Sequence, residues 1–319
     1  MNIEGVLIVD KTEGPTSHDV GTMARRALGV SRIGHTGTLD PMATGVLPLV
    51  IGRATRLAQF LTASDKTYEA TIAFGRTTDS YDASGKVVTT SERRPSLAEL
   101  ETAIAKFRGT FEQTPPVFSA KNIDGERSYV LARKAARSAE ARSDEAAGAR
   151  GASRETLTRP KAVAVTVKRL EILAFDGAEA RLEIQATAGF YVRSLAHDIG
   201  DALECGAVLT ALRRTRSGGF GLERAVPLAD ILQSPREQLA ARVLPFRELL
   251  PELPSVQLRS ALQVERLRNG VEMAPSDLMT PLATAAPIVR LMGPEGDLVG
   301  LAKPGKTAGY LHGWVVLGP

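Results

Sequence analysis

The stretch Arg32–Leu49, RIGHTGTLDPMATGVLPL, places one carboxylate, that of Asp40, in a glycine-rich loop directly before an apolar run. Asp-Pro pairs commonly begin turns, because Asp accepts hydrogen bonds from nearby backbone. Glycines before and after Asp40 remove the steric block of a side chain, so the backbone of another molecule could come close. The pattern is typical either of an ordinary turn or of a loop that presents a nucleophilic carboxylate.

Length and composition set the class of protein. The chain has 319 residues, of which 43% are hydrophobic, and a single cysteine, Cys205. This length predicts two domains, one large and one small. One cysteine excludes an internal disulfide framework. The sequence lacks a signal-peptide pattern and any apolar stretch of membrane-spanning length, so we expect a soluble cytoplasmic protein with no membrane partner.

The charge of the chain points only weakly to a polyanionic partner. The formal net charge is +4, from 40 basic and 36 acidic residues. Two segments, Ser119–Arg137 and Leu209–Arg224, are richer in arginine and lysine than in acids. Arginine grips phosphates through two parallel hydrogen bonds, but a run of charges is more often a solvated face of a helix or strand.

Helix signals are clear in two places. Apolar residues recur at helical spacing after Ser17, which can cap the helix start, and Gly29 suits a left-handed C-terminal position. Ser96 and Glu99 form a capping-box pattern before a second apolar stripe. The sequence therefore predicts one helix that follows its cap at Ser17 and ends before Gly29, and another beginning after Ser96.

Strand signals surround these helices. Gly5–Lys11 is an apolar run typical of a buried strand, Lys66–Phe74 alternates, and 162–175 with 179–189 read as an antiparallel pair. Strands and helices without a regular βαβ rhythm favour an α+β fold around a mixed or mostly antiparallel sheet.

The chain divides by composition. We predict a large domain over 1–245 and a small β-rich domain over 251–319, joined by the proline-marked stretch Leu244–Leu258 as a linker. Residues 136–158 contain few large apolar side chains and balanced charge, which predicts a flexible insertion.

Several kinds of active site are poorly supported. The four histidines lack metal-ligand spacing, the segment GRTTDSYDASG lacks calcium-loop spacing, and Cys205 has no adjacent histidine. A nucleophilic Asp40 would need a nearby cation to stay ionised, and Arg193, at a strand-to-helix junction, is the best candidate. Tyr68 could stack on a base, although its pattern alone favours a core aromatic.

Five segments resemble, in order, the motifs of one enzyme family: GVLIVDKTEGPTSHDV, RIGHTGTLDPMATGVLPLVIGRATRLAQFL, DKTYEATIAFGRTTDSYDASG, PPVFSAKNIDGERSYVLAR and GFYVRSLAHDIG. They are similar to those of the TruB-type tRNA pseudouridine-55 synthases, from about Gly5 to Leu232. The resemblance implies a pseudouridine-synthase catalytic domain, with a mixed, mostly antiparallel sheet flanked by helices and loops. It also implies a small C-terminal PUA-like RNA-binding domain.

The resemblance assigns roles to individual residues. It implies that Asp40 is the catalytic nucleophile, that Tyr68 stacks on the uracil and assists proton removal, and that Arg193 keeps Asp40 ionised. Three further residues are implied to bind substrate. His35 lies beside the flipped base, and Lys11 and Tyr191 shape the pocket.

The implied reaction isomerises uridine 55 in the T loop of tRNA after the base is flipped out, without metal, cofactor or guide RNA, by a monomer. Extruding a base costs least from a loop. The chain departs from the family pattern at Thr12 and Phe118, and 136–158 looks like an insertion in the loop that closes over RNA. A guide-dependent pseudouridylase of the dyskerin type and a non-catalytic RNA-binding protein remain alternatives.

Overall fold

The computed structural model describes residues 3–116, 122–123, 126–127, 161–279 and 286–318. The chain forms two compact units: unit 1 contains residues 1–64 and 216–319, and unit 2 contains residues 65–215. The insertion predicted at 136–158 and the departure at Phe118 lie outside the described residues. The domain boundary predicted between 245 and 251 stays a prediction. No helix in the described part of the chain is both long and apolar enough to cross a membrane.

Helices and strands alternate irregularly along the chain. The helices are α1 (Ser17–Leu28), α2 (Ala58–Thr62), α3 (Leu97–Ala105), α4 (Val192–Ala202), α5 (Leu228–Gln233), α6 (Arg236–Ala241) and α7 (Ala261–Arg268). Short 3₁₀ helices lie at Gly52–Leu57, Leu222–Arg224, Phe246–Glu248 and Pro275–Asp277. The strands are β1 (Gly5–Lys11), β2 (Ile33–His35), β3 (Thr44–Ile51), β4 (Lys66–Phe74), β5 (Arg76–Thr78), β6 (Val87–Thr90), β7 (Gly109–Gln113), β8 (Asn122–Ile123), β9 (Glu126–Arg127), β10 (Val163–Phe175), β11 (Glu179–Ala186), β12 (Ala207–Ser217), β13 (Phe220–Gly221), β14 (Val226–Pro227), β15 (Ser255–Gln257), β16 (Val289–Met292), β17 (Leu298–Pro304) and β18 (Leu311–Val316).

The centre of unit 1 is strand β1. It pairs antiparallel with β3, from Gly5 opposite Ile51 to Lys11 opposite Gly45, and parallel with β14. Strand β2 pairs antiparallel with the end of β3. The side chains of β1 from Val6 to Val9 are buried, as expected of an apolar run covered on both faces. The prediction of a buried strand here is confirmed, and the sheet is mixed.

Helix α1 begins one residue earlier than the sequence pattern suggested. Thr16, not Ser17, is the N-cap: its hydroxyl accepts the backbone N–H of Asp19, whose carboxylate accepts the backbone N–H of Thr16. Ser17 is the first helical residue, which frees its hydroxyl for another contact. Gly29 ends the helix with φ 60°, which confirms the predicted left-handed cap.

The C-terminal strands form a separate four-stranded sheet in the order β15-β16-β17-β18, with the first pair parallel and the others antiparallel. Leu298 and Leu301 of this sheet belong to the same buried cluster as Val6 and Val46. The sheet also carries Trp314.

Trp314 is the chain's one tryptophan. Its ring meets Phe60 edge-on with 5.0 Å between ring centroids. The Lys303 ammonium lies 5.6 Å from the centroid of the same ring. The indole is therefore fixed between one aromatic and one cationic neighbour of unit 1.

The stretch 244–258 is not the exposed linker that its prolines suggested. Leu249 and Leu250 are 0% and 3% exposed and belong to the cluster that contains Val6. The prolines shape short turns here, whereas the leucines between them pack into the core of unit 1. The proline content of this segment therefore did not predict its burial.

Unit 2 is built on strands in the order β12-β4-β11-β10-β7. The strand pair predicted at 162–175 and 179–189 is confirmed as the antiparallel pair β10 and β11. Helix α3 begins with the predicted capping box of Ser96 and Glu99. Every second residue of β4, starting from Lys66, is buried, so this strand turns one face to the core.

Candidate functional site

Asp40 lies in a tight turn of unit 1 and is half-buried. Its carbonyl accepts the backbone N–H of Ala43 at 3.0 Å, with Pro41 in the second position, where proline favours a type I turn. On the other side, the Ser17 hydroxyl donates to the carbonyl of Leu39 at 3.1 Å and accepts the N–H of Leu39 at 2.8 Å. The backbone is therefore held on both sides of the carboxylate.

The side chain of Lys11 holds the same turn through hydrogen bonds. Its side chain has no exposure to solvent, and its ammonium donates to the carbonyls of Thr12 at 3.0 Å, Pro41 at 3.1 Å and Ala43 at 2.6 Å. A buried ammonium needs such partners, because burying a charge without hydrogen bonds is costly. Lys11 therefore contacts the turn that carries Asp40. His35, the third site residue of unit 1, lies half-buried in β2.

Tyr68 lies on the buried face of β4, with 9% of its surface exposed. Arg214, on the neighbouring strand β12, is 1% exposed and forms a hydrogen bond with the Tyr68 side chain. Burial lowers the pKa of Arg214, and this contact with Tyr68 opposes that shift. Because a guanidinium only donates, the Tyr68 oxygen must accept this bond.

Lys66 adds a second buried cation next to Tyr68. It is two residues before Tyr68 on the same face of β4 and is 6% exposed. Burial, and then repulsion from Arg214, lowers the pKa of Lys66 to about 8. Unit 2 thus buries two basic side chains, those of Lys66 and Arg214, beside the strand face that carries Tyr68.

Arg193 lies in the first turn of α4 and is 6% exposed. Its guanidinium donates to the carbonyl of Ser80 at 3.2 Å and lies 3.5 Å from the carboxylate of Asp82. Asp82 is itself held, since it accepts hydrogen bonds from the Ser80 hydroxyl at 2.8 Å and the Ser84 N–H at 3.0 Å. The loop before β6 therefore orients Arg193.

Tyr191 immediately precedes α4, and the Gln113 side chain forms two hydrogen bonds with its backbone. The Gln113 amide donates to the carbonyl of Tyr191 at 3.0 Å, and its oxygen accepts the N–H of Tyr191 at 2.8 Å. Gln113 is 1% exposed at the end of β7. This pair of bonds fixes the start of the helix that carries Arg193.

The candidate residues thus fall into two groups. Unit 1 brings Lys11 to the Asp40 turn, and unit 2 brings Tyr191 and Arg193 together at the start of α4. The pairing of Arg193 with Asp40, and the substrate contacts of all six residues, stay predictions. Among the described residues, no group of three or more His, Cys, Asp or Glu side chains is placed to hold a metal ion.

The sequence patterns did not identify three buried residues of these groups: Asp82, Gln113 and Arg214. The only local signal for Asp82 was the concentration of turn-forming residues around it. Arg214 belongs to the arginine-rich segment 209–224, for which a solvated face was the simpler interpretation. Its almost complete burial shows that this arginine has an internal role.

Family models match most of the chain. Residues 25–192 match the TruB family pseudouridylate synthase N-terminal domain, and residues 193–251 match the tRNA pseudouridylate synthase B C-terminal domain. The chain is 41% identical over 305 residues to the tRNA pseudouridine synthase B of Solibacter usitatus, which covers 94% of this chain and 96% of that protein. It is 38% identical to the enzyme of the same name from Aromatoleum aromaticum, covering 94% and 89% of the two chains.

Solved structures share the fold. A chain of the Cbf5-Nop10-Gar1 complex superposes with a TM-score of 0.72 at 25% identity, over 100% of this chain and 87% of that one. A chain of an H/ACA RNP bound to a substrate RNA containing 2′-deoxyuridine gives a TM-score of 0.71 at 24% identity, over 100% and 86%. The second likeness concerns the fold alone.

Proposed function

Because the chain belongs to the TruB family of pseudouridylate synthases, we propose that it converts uridine 55 in the T loop of tRNA into pseudouridine. The relatives named tRNA pseudouridine synthase B support tRNA as the substrate. The observation that carries the proposal is the Asp40 turn, whose backbone is anchored by Ser17 on one side and Lys11 on the other. A nucleophile must be held still to react efficiently.

The reaction rearranges the atoms of one nucleotide. The bond between N1 of the uracil and C1′ of the ribose breaks, the base rotates, and a bond forms between C5 and C1′. The hydrogen on C5 leaves as a proton, and its electron pair restores the ring double bond. N1 gains a proton in exchange, so substrate and product have the same composition and no group donor or redox partner is consumed. Asp40 attacks C1′ of the nucleotide flipped out of its stack as the N1–C1′ bond breaks, and C5 displaces the carboxylate when the C5–C1′ bond forms.

The other candidate residues support this chemistry in distinct ways. Tyr68 stacks on the extruded uracil and takes the C5 proton, and its hydrogen bond with Arg214 orients the phenol. Arg193 keeps Asp40 ionised, and His35 fills space beside the flipped base. Lys11, which is fully buried, positions Asp40 through the backbone, while Tyr191 lines the pocket.

Action without a guide RNA is the version of this function that the comparisons favour. The chain is 41% identical to the bacterial synthase of Solibacter usitatus over 94% of its length, but only 25% identical to the chain from the Cbf5 complex. A non-catalytic RNA-binding role would not require a carboxylate in a turn held by both α1 and β1. We therefore propose a stand-alone enzyme that acts as a monomer.

Release of the C5 hydrogen tests the proposal. A guide-free, metal-free mixture of the protein and an unmodified tRNA transcript, tritiated at C5 of its uracils, should release label up to one equivalent per tRNA. A transcript with cytidine at position 55 should release none. Asp40→Asn should bind the RNA and release nothing, because the amide keeps the size but loses the nucleophile.

Asp176→Asn provides a matched control. Asp176 is exposed in the turn between β10 and β11 and should leave release unchanged. Normal release by Asp40→Asn, or no release by the wild-type protein from an intact T arm, would contradict the assignment.

A further inference from the structure

A groove in unit 1 runs between α1 and the segment 31–35. Its volume is about 300 Å³, at the lower end of the range for ligand-binding pockets. Its walls include Arg25 and Thr22 of α1 and Arg32 and His35 of the facing segment. Of the described residues that line it, none is acidic. The groove is therefore a concave, basic surface.

Two guanidinium groups at the groove are free to bind a ligand. Arg25 and Arg32 are exposed, and neither side chain forms a hydrogen bond or ion pair with any residue in the described part of the chain. A guanidinium matches the geometry of a phosphate. The position of Arg25 in the last turn of α1 also suits the helix dipole, but Arg26 shares that advantage and does not line the groove.

Gly21 is a second observation that points to a ligand. Glycine in a helix interior is less favourable than alanine, so a structural reason is expected. Packing provides none, because a Cβ on Gly21 would meet no atom within 4 Å. Gly21 lines the groove, so the missing side chain enlarges the groove.

The groove adjoins the Asp40 turn within the same unit. Ser17 lines the groove, and its hydroxyl is the group that holds the backbone of Leu39, the residue before Asp40. His35 lines the groove as well. The groove therefore shares Ser17 with the contacts that hold the Asp40 turn, and His35 with the candidate site residues of unit 1.

We propose that this groove binds the nucleotide next to the target uridine in the RNA strand, with Arg25 and Arg32 on its phosphates. The proposal rests on the proposed function for the identity of the RNA. The basic lining and the lack of acids select a phosphodiester. The space at Gly21 accommodates a base or ribose. Ser17, which lines the groove and holds the backbone of Leu39, connects the groove to the turn of the residue proposed to react.

The test compares three arginine variants in binding of a T-arm RNA at several salt concentrations. Arg25→Gln and Arg32→Gln should each weaken binding roughly tenfold and reduce the slope of log affinity against log salt by about 1, since each removes one phosphate contact. Arg26→Gln removes the same charge from the same helix end, outside the groove, and should leave the slope unchanged. Product formation by Arg26→Gln should stay within about twofold of that by the wild-type protein.

Filling the groove gives an independent test. Gly21→Leu introduces a good helix former, so the fold should be stabilised, whereas RNA affinity should fall because the space is occupied. Thermal unfolding measured alongside separates the two effects. RNA affinity equal to wild type in this stabilised variant would overturn the proposal.

Other outcomes also decide the matter. Salt slopes for Arg25→Gln and Arg32→Gln equal to that of Arg26→Gln would overturn the proposal, as would binding of free uridine 5′-monophosphate as tight as that of the RNA. Binding that responds as expected, in a protein that releases no tritium, would support the groove and contradict the proposed function.

Discussion

Lys11 is a charged residue with no access to solvent, and its ammonium donates hydrogen bonds to the backbone carbonyls of Thr12, Pro41 and Ala43. The family resemblance suggests that it binds substrate. Its burial instead favours an indirect role, in which the ammonium sets the position of the turn and the turn sets the position of the carboxylate.

Lys11→Met should therefore impair both stability and chemistry. Loss of the ammonium leaves buried carbonyls unsatisfied, which should lower the free energy of unfolding by roughly 2–3 kcal/mol. Single-turnover product formation should fall at least about tenfold, because a displaced carboxylate reacts poorly, while RNA affinity changes less. Urea unfolding and a rapid-quench assay measure the two effects.

An exposed lysine serves as the control for this substitution. Lys106→Met, at the end of α3, should change the free energy of unfolding by no more than about 0.5 kcal/mol. If Lys11→Met unfolded and reacted like the wild-type protein, the turn would be held by other contacts.

Site residues were predictable where the sequence signal was local. Asp40 could be identified because its glycines and proline are neighbours in sequence. The partners of the other residues are remote: Gln113 and Tyr191 are 78 positions apart, and Arg193 and Ser80 are 113 apart. Periodicity and turn rules report on neighbouring residues, so these contacts lay beyond their reach.

At the scale of elements, α4 and β12 meet at a glycine. A Cβ added to Gly200 would overlap the backbone nitrogen of Ala207, and backbone cannot move aside cheaply. Gly200 is thus required by the close approach of the helix to the strand that follows it. The same helix carries Arg193.

Gly200→Ala should separate α4 from β12. We expect a loss of about 2–3 kcal/mol in the free energy of unfolding, because overpacking forces the backbone to shift. Product formation should fall too, since Arg193 moves with the helix. Thermal unfolding and tritium release measure these losses.

A second glycine is the matched control for the clash. Gly219→Ala adds the same methyl group where no atom lies within 4 Å, and it should be nearly neutral. Equal stability of the two variants would show that the helix can tilt to accommodate the methyl group.

Elements were predicted well where a few adjacent residues specify them. The capping box of α3 and the left-handed Gly29 both follow from residues within one turn. The burial of the stretch 244–258 was not predicted. Its prolines are a local signal, whereas the burial of Leu249 depends on distant partners such as Val6. Tertiary packing overrode the local pattern.

At the scale of the whole molecule, two hydrophobic clusters within the described part of unit 1 bear on the domain boundary. Leu301 belongs to the cluster that contains Val6 and Val46, whereas Leu291 belongs to a cluster formed within the C-terminal part of the chain. Both leucines are fully buried. The two sites thus offer the same truncation in different cores.

Hydrogen exchange of the two alanine variants tests whether residues 251–319 form an independent domain. Leu301→Ala should lose about 2–5 kcal/mol and raise amide exchange in β1 and β3, because its cavity opens toward them. Leu291→Ala should lose a similar amount but raise exchange only in β15 to β18. If Leu301→Ala also left β1 and β3 protected, residues 251–319 would behave as the independent domain that the sequence predicts.

The setting of Trp314 gives the molecule an internal optical probe. Trp314 is the chain's one tryptophan, so it alone gives the tryptophan emission. The residue is 44% exposed and lies between Phe60 and Lys303. A nearby ammonium perturbs the excited state, and hydration shifts emission to the red. Separation of β18 from α2 would therefore shift the fluorescence emission of the unlabelled protein. Stopped-flow fluorescence can measure this shift while RNA binds.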